Sequence, residues 1–250
     1  MARYDFTTPR LFVDAALAPG AEISLSPSQA HYLLHVLRLK PGARVLLFNG
    51  ADGEWLAEVA EAGKRACRLA VLNRTREQTE PGDLHYLFAP LKRARLDYLV
   101  QKATEMGASV LQPMMTARTI TERVNLERMR ANVVEAAEQC GILSVPEVRA
   151  PAKLADAIEI WDEQRRLVLC DEDAPPGDPI AALEKLKPGP LAVLVGPEGG
   201  FTDEERAAIR AKPFIAAISL GPRILRADTA GIAALTLVQA TLGDLKSVNG

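Results

Sequence analysis

The sequence predicts an α/β protein preceded by a small β-barrel, and three observations carry that reading. From Leu84 onward, short continuous apolar runs alternate with amphipathic helical stretches, the pattern of a parallel sheet buried on both faces. Before about residue 75 the chain instead offers short strands, glycine turns and a single helix, which suggests a barrel. Between the two lies Arg74–Gly82, a polar stretch ending in Pro-Gly that reads as a linker. The expected organisation is therefore a barrel over residues 1–75 and an α/β domain over 76–250.

The barrel's elements follow from local chemistry. Arg10–Asp14 and Glu22–Ser26 are short strand candidates. Ser26 is an N-cap residue followed by Pro27, which suits the first helical position, so a helix is predicted over Pro27–Arg38. Arg44–Phe48 and Glu54–Val59 are strands joined by the turn Asn49-Gly50-Ala51-Asp52-Gly53. Arg65–Asn73 alternates in part and supplies a further strand.

In the second part the predicted strands are His85–Ala89, Ser109–Gln112, Leu167–Cys170, Leu191–Val195 and Ala217–Leu220. The predicted helices cover 95–106, 122–140, 153–160, 179–186, 203–211 and 227–242. Helices packed against such a sheet give an α/β domain.

Composition narrows the function. The 250 residues are 48% hydrophobic and 25% charged, which is ordinary for a globular chain. No apolar run approaches the roughly 18 residues that span a bilayer, and the N-terminus lacks a secretory pattern, so a cytoplasmic location is expected. Cys67, Cys140 and Cys170 are odd in number and far apart, which points to reduced thiols. His31 and His35 have helical metal spacing but no HExxH pattern or third ligand, so no metal is expected. The net charge is only −2, yet residues 1–76 hold 10 Lys and Arg against 7 Asp and Glu. A mildly basic first part on an acidic body is compatible with phosphate contact.

Three segments can carry chemistry. The run Val193–Val195 ends in Gly196-Pro197-Glu198-Gly199-Gly200, and Thr202 then starts a helix with Glu205 completing a capping box. Glycines at a strand's end let a ligand approach the backbone, and open α/β sheets bind ligands at that edge. No phosphate loop or GxGxxG is present, and Asp203, Glu204 and Glu205 repel anions, so a neutral or cationic ligand is favoured. A tight structural turn explains this segment equally well on its own. The second segment, Ser219–Ala230, follows another strand end with Arg223, Arg226 and Asp228; an Arg–Asp pair with a helix cap is the simpler account of either residue alone. The third places Lys92, Arg93 and Arg95 before an apolar helical stripe, a basic knot that is either a phosphate contact or a solvated face.

Taken together, Gly196–Phe201 and Leu220–Arg226 resemble the signature of the ribosomal RNA small-subunit methyltransferase E family, in the SPOUT class. His31-Tyr32 with Val36–Arg38, Gln101–Glu105 and Glu135–Cys140 match as well, in the family's order. Asp228 stands where Glu is usual, Ile142 where Arg is common and Met106 where Leu is usual.

The resemblance implies a SPOUT domain with a trefoil knot, a PUA-like barrel that grips RNA, and a homodimer. It implies S-adenosylmethionine held by Leu169 and Cys170, by Leu194, Gly196, Pro197, Gly199 and Gly200, and by Leu220, Gly221, Ile224 and Leu225. The implied reaction is methylation of uridine N3 in 16S ribosomal RNA, with a small ribosomal subunit as partner. Arg226 is then the first candidate to stabilise charge on the base, and Glu198 a candidate base or a partner that orients Arg226. Arg10, Arg38, Lys92, Arg93 and Arg95 would hold phosphates. The alternatives are a methyltransferase acting on another base or a ribose 2′-OH, and a non-catalytic RNA-binding accessory protein.

Overall fold

In a computed structural model that describes residues 5, 7–63, 66–121, 123–174 and 177–246, the chain divides into two compact units. One comprises residues 1–80 with 137–145, the other residues 81–136 with 146–250.

The first unit is a five-stranded sheet in the order β1-β3-β4-β5-β2. Its strands are β1 (Arg10–Phe12), β2 (Glu22–Ser24), β3 (Arg44–Phe48), β4 (Glu54–Ala62) and β5 (Cys67–Arg76), with helix α1 (Pro27–His31) between β2 and β3. β1 runs parallel to β3 and the other pairs are antiparallel. Register irregularities along the β4–β5 pair are the bulges that curl such a sheet. Leu11, Ile23, Leu33, Val45, Leu47 and Leu69 form the core inside it.

Two expectations for this unit change. Ser26 does cap α1, in a full capping box with Gln29, but the α-helix ends at His31 and continues as a π turn over Tyr32–Val36. The stop is made by Arg38 in the left-handed region (φ 57°), after which Leu39 N–H donates to Leu33 O at 2.9 Å. That cap usually falls to glycine, so no glycine or proline marks it in the sequence. The second correction concerns Arg10, expected to meet phosphate. Its side chain is 8% exposed, pairs with Glu54 at 2.9 Å and donates to the carbonyls of Ala137 and Glu138. It neutralises a buried carboxylate and caps the end of a helix instead of facing RNA.

The second unit is a seven-stranded sheet in which every pair is parallel. In chain order it contains β6 (Leu84–Phe88), α2 (Arg93–Glu105), β7 (Val110–Met115), α3 (Leu126–Cys140, to Ala136 in this unit), β8 (Glu147–Val148) and β9 (Ala152–Lys153). α4 (Leu154–Glu159), β10 (Arg166–Cys170), α5 (Pro179–Leu183), β11 (Leu191–Val195), α6 (Asp203–Arg210), β12 (Ile215–Ile218) and α7 (Ala227–Leu242) follow. The strand order is β12-β10-β11-β6-β7-β8, with β9 paired to β7.

Burial on both faces explains the continuous apolar runs, since every residue of β11 is buried. Leu87, Leu194 and Leu169 stand side by side on β6, β11 and β10 and share one core with Ile158 and Ile209. The alternate residues Tyr86, Val193 and Val168 point to the opposite face. Two elements shift from expectation. β12 lies two residues before the predicted strand, because Ile215–Ile218 is the stretch in register with Leu167–Cys170. α3 starts at Leu126 because Asn125 Oδ1 accepts from Arg128 N–H at 2.9 Å, a cap inside the predicted helix; its expected first residue, Glu122, lies outside the described residues. No described helix is long and apolar enough to cross a membrane.

Candidate active site

A parallel sheet delivers all its strand ends to one edge. Cys170 on β10 pairs with Val195 on β11 and with Ile218 on β12. The segments that follow these three residues therefore leave the sheet side by side. They are the two glycine loops and the Asp171–Ala174 turn, separated in the sequence by two helices and two strands but adjacent here. The first strand also belongs to this edge. β6 leads to β7 on one side and β11 to β12 on the other, so the chain direction switches between β6 and β11, the place where open α/β sheets form a ligand crevice.

The Gly196–Phe201 loop is shaped by its neighbours. A Cβ on Gly196 would lie 2.7 Å from the buried Phe201 ring, so only glycine lets the ring tuck under the loop. Gly200 has φ +69°, and a side chain there would strike the Glu172 carboxylate. Thr202 and Glu205 then form the predicted capping box at the start of α6. Glu205 reaches further and accepts from Ala117 N–H at 2.7 Å, tying the loop after β7 to the start of α6.

A charge cluster fastens the turn after β10. Asp171, whose side chain is 0% exposed, meets Arg206 at 3.1 Å and Arg210 at 2.6 Å. Arg206 also meets Glu172 at 3.1 Å and Asp173 at 2.7 Å. The oxygens of Asp171, Glu172 and Asp173 lie within 4.8 Å of one another, but the two arginines already supply the counter-charge a cation would bring. Cys170, one residue earlier, is no nucleophile at neutral pH. Burial, helped by the neighbouring Asp171 charge, pushes its thiol up to about 12.

Arg95 joins two candidate segments. Projecting from α2, it bonds Glu198 in the glycine loop and meets Asp228 in the first turn of α7 at 2.9 Å. Its guanidinium holds the Asp228 carboxyl below the usual carboxylate range, the direct hydrogen bond being the main cause. One arginine thus bridges residues 198 and 228, and the Arg95 guanidinium expected to meet phosphate is engaged by these two carboxylates.

The remaining predicted residues divide clearly. Leu169 and Leu194 are wholly buried in the core, so only their backbone is left for a ligand. Pro197 is half-buried and Gly199 exposed. Leu220 and Leu225 are half-buried, Gly221 is exposed with φ +102°, and Ile224 is 96% exposed. Arg226 is exposed at the N-cap position of α7. The hydrogen bonds of Glu198 run to Arg95 and none to Arg226 among the described residues. Arg38, Lys92 and Arg93 are exposed.

Sequence reasoning missed the Asp171–Arg206–Arg210 cluster and Arg118. The i, i+4 spacing of Arg206 and Arg210 after an acidic first turn was the one available signal. Arg118 leaves β7's loop, donates to Gly199 O at 2.8 Å and gave no signal at all.

Residues 78–239 match the model of the RNA methyltransferase domain, and residues 25–72 that of the RNA methyltransferase PUA domain. The Ribosomal RNA small subunit methyltransferase E of Rickettsia conorii is 30% identical over 92% of this chain and 94% of its own. The chain belongs to the ribosomal RNA small subunit methyltransferase E family. The member from Synechocystis is 34% identical over 93% of this chain and 78% of its own. The Neisseria gonorrhoeae member, crystallised bound to S-adenosyl methionine, superposes with a TM-score of 0.84 at 27% identity, covering 95% of this chain and 99% of that one. As the family resemblance implied, a parallel α/β unit carries the methyltransferase match and a curled sheet carries the PUA match.

Proposed function

We propose that this protein is an S-adenosylmethionine-dependent methyltransferase of 16S ribosomal RNA that modifies uridine N3. The observation that carries the reading is the convergence of three strand-end segments, two of them glycine-rich, on one edge of a parallel sheet. Residues 196–200 and 220–225, with the backbone at 169–171, would hold the cofactor. The site fits that group. Exposed backbone at Gly199 and Gly221 offers main-chain donors and acceptors to a nucleoside, and no phosphate-binding loop competes for it. When bound, S-adenosylmethionine supplies an electrophilic methyl group.

The chain's own residues have the remaining work. Uridine N3 is a weakly acidic imide, and its neutral form is a poor nucleophile. Arg226, exposed where α7 begins, is assigned to stabilise negative charge on the base oxygens as the proton leaves. It cannot accept that proton, because guanidinium stays charged. Glu198, steadied by Arg95, is assigned to receive it. Holding the base in line supplies up to about 7–11 kcal/mol of barrier lowering. N3 lies on the pairing edge, so the target base must be unpaired or flipped out.

The wider assignments rest on the same reading. The unit bearing the PUA match would grip RNA, with Arg38 among its exposed cations. The α/β unit would be knotted and would pair into a homodimer. The substrate would be a small ribosomal subunit, met in the cytoplasm. The decisive experiment maps methylated uridine in RNA from a deletion strain, with and without the wild-type gene. In the same assay Arg226→Ala should lose at least about a hundredfold in turnover while keeping cofactor affinity. Turnover near wild type would remove Arg226 from the mechanism.

A further inference from the structure

Resting on that reading, we propose that the cleft at the β6–β11 switch point is the acceptor-nucleotide subsite, with Arg118 and Lys92 holding an RNA phosphate. The cleft lies within the α/β unit and is lined by Pro90 and Lys92 after β6, Arg118 and Ile120 after β7, and Pro197 and Glu198 after β11. It is shallow and open to solvent, so it can meet a longer chain only across its face.

The lining chemistry matches one nucleotide. Lys92 and Arg118 are exposed. Arg118 spends one N–H on Gly199 O, which fixes the guanidinium against the glycine loop and leaves its other donors for a phosphate fork. Glu198, the acid in the wall, is already paired with Arg95 and does not cancel these cations. Ile120, 70% exposed, and Pro197 give apolar surface for a base that has left its stack.

The two helix starts at this edge differ in charge. α6 begins with Asp203, Glu204 and Glu205, which repel an anion. α2 begins beside Lys92 with no acid in its first turn. The methyl acceptor then sits next to the glycine loop on the side opposite β10 and β12.

The test compares Arg118→Ala, Lys92→Ala and Arg118→Lys with wild type on small ribosomal subunits from a deletion strain. Cofactor affinity is measured by calorimetry with S-adenosylmethionine, and RNA affinity by anisotropy with a labelled single-stranded uridine oligonucleotide. Arg118→Ala should raise KM for the subunit by about tenfold. Its oligonucleotide affinity should lose about 0.7 from the slope of log K against log salt, one phosphate's share for a single strand. Arg118→Lys should recover the slope, and Lys92→Ala should leave cofactor affinity within about twofold of wild type. An unchanged KM and slope in both alanine variants overturns the subsite. A loss of cofactor affinity in Lys92→Ala overturns it too, by giving that cation to the cofactor. If wild type transfers no methyl group to the subunit, the functional reading fails, and the anisotropy slopes, which need no turnover, still decide the phosphate contact.

Discussion

Asp171 shows how much one buried charge can organise. Its side chain has no exposure and is compensated by Arg206 and Arg210, both on α6. Its backbone N–H donates to Ile218 O at 3.0 Å, so the same residue touches β12. The Asp171–Ala174 turn, α6 and the end of β12 are thereby held in one arrangement. A buried pair contributes little net stability over an apolar substitute, but removing one partner strands the other charge. Asp171→Asn should therefore destabilise the protein by about 3 kcal/mol, a melting shift of roughly 6–12 °C for a chain of this size. Cofactor affinity should fall with it, because the turn beside the glycine loop loosens. Calorimetric melting and a cofactor titration check this. A variant that melts within a degree of wild type would mean that the arginines find other partners at no cost. Neither acid nor arginines looked connected in the sequence, since thirty-odd residues and a whole strand separate them. Arg95 was visible only as part of a basic knot, and pairing with Glu198 and Asp228 needed the fold to bring those carboxylates to it.

At the scale of elements, what was legible was what is local. Ser26 and Thr202 announced their helices by capping boxes, and both boxes form. α7 and β11 run over the predicted residues because each is bounded by its own chemistry: an apolar helix opening after a loop, an apolar run ending in glycine. β8 and β9 gave no periodicity to read because each has only two residues. The π turn and its Arg38 stop were hidden because they use no punctuating residue. The docking of α7 was equally silent. Gly231 looks like a weak point in that helix, yet a Cβ there would collide with the Tyr86 hydroxyl and lie 3.1 Å from Leu99 Cδ1. Tyr86 is fully buried on β6, and its hydroxyl finds no hydrogen-bond partner among the described residues. Gly231→Ala gains about 1 kcal/mol of helix propensity but overpacks the core, for a net loss of about 1–2 kcal/mol. Adding Tyr86→Phe should recover most of that loss, because it removes the obstructing and unsatisfied hydroxyl. Denaturant midpoints of the two single variants and the double variant test the coupling. Additive effects would show that the helix yields elsewhere.

For the whole molecule, the division of the chain into units is not a division of the sequence into halves. The first unit takes residues 137–145 from far downstream. That segment supplies Leu143, which joins Phe48 and Ala137 in a small core. It also supplies the carbonyls that accept from Arg10 and from Arg76, the latter at Gly141 O and 2.9 Å. Ser144 and Gln78 add a side-chain contact at 3.1 Å. Composition could not reveal this, because the segment follows an amphipathic helix without a break and its partners are spread over β1, β3 and β5. A fragment ending at residue 80 would therefore keep every strand of the first sheet and still lack part of its interior. Arg10 would remain beside Glu54 with two acceptors gone, and Phe48 would lose its cover. Losing these contacts costs several kcal/mol, about the whole margin of an 80-residue domain. The 1–80 fragment should show poor amide dispersion and a broad melt, and fusing residues 137–145 through a flexible linker should sharpen both. A fragment that melts cooperatively and gives dispersed amide signals without that segment would show that the downstream residues merely decorate a unit already complete.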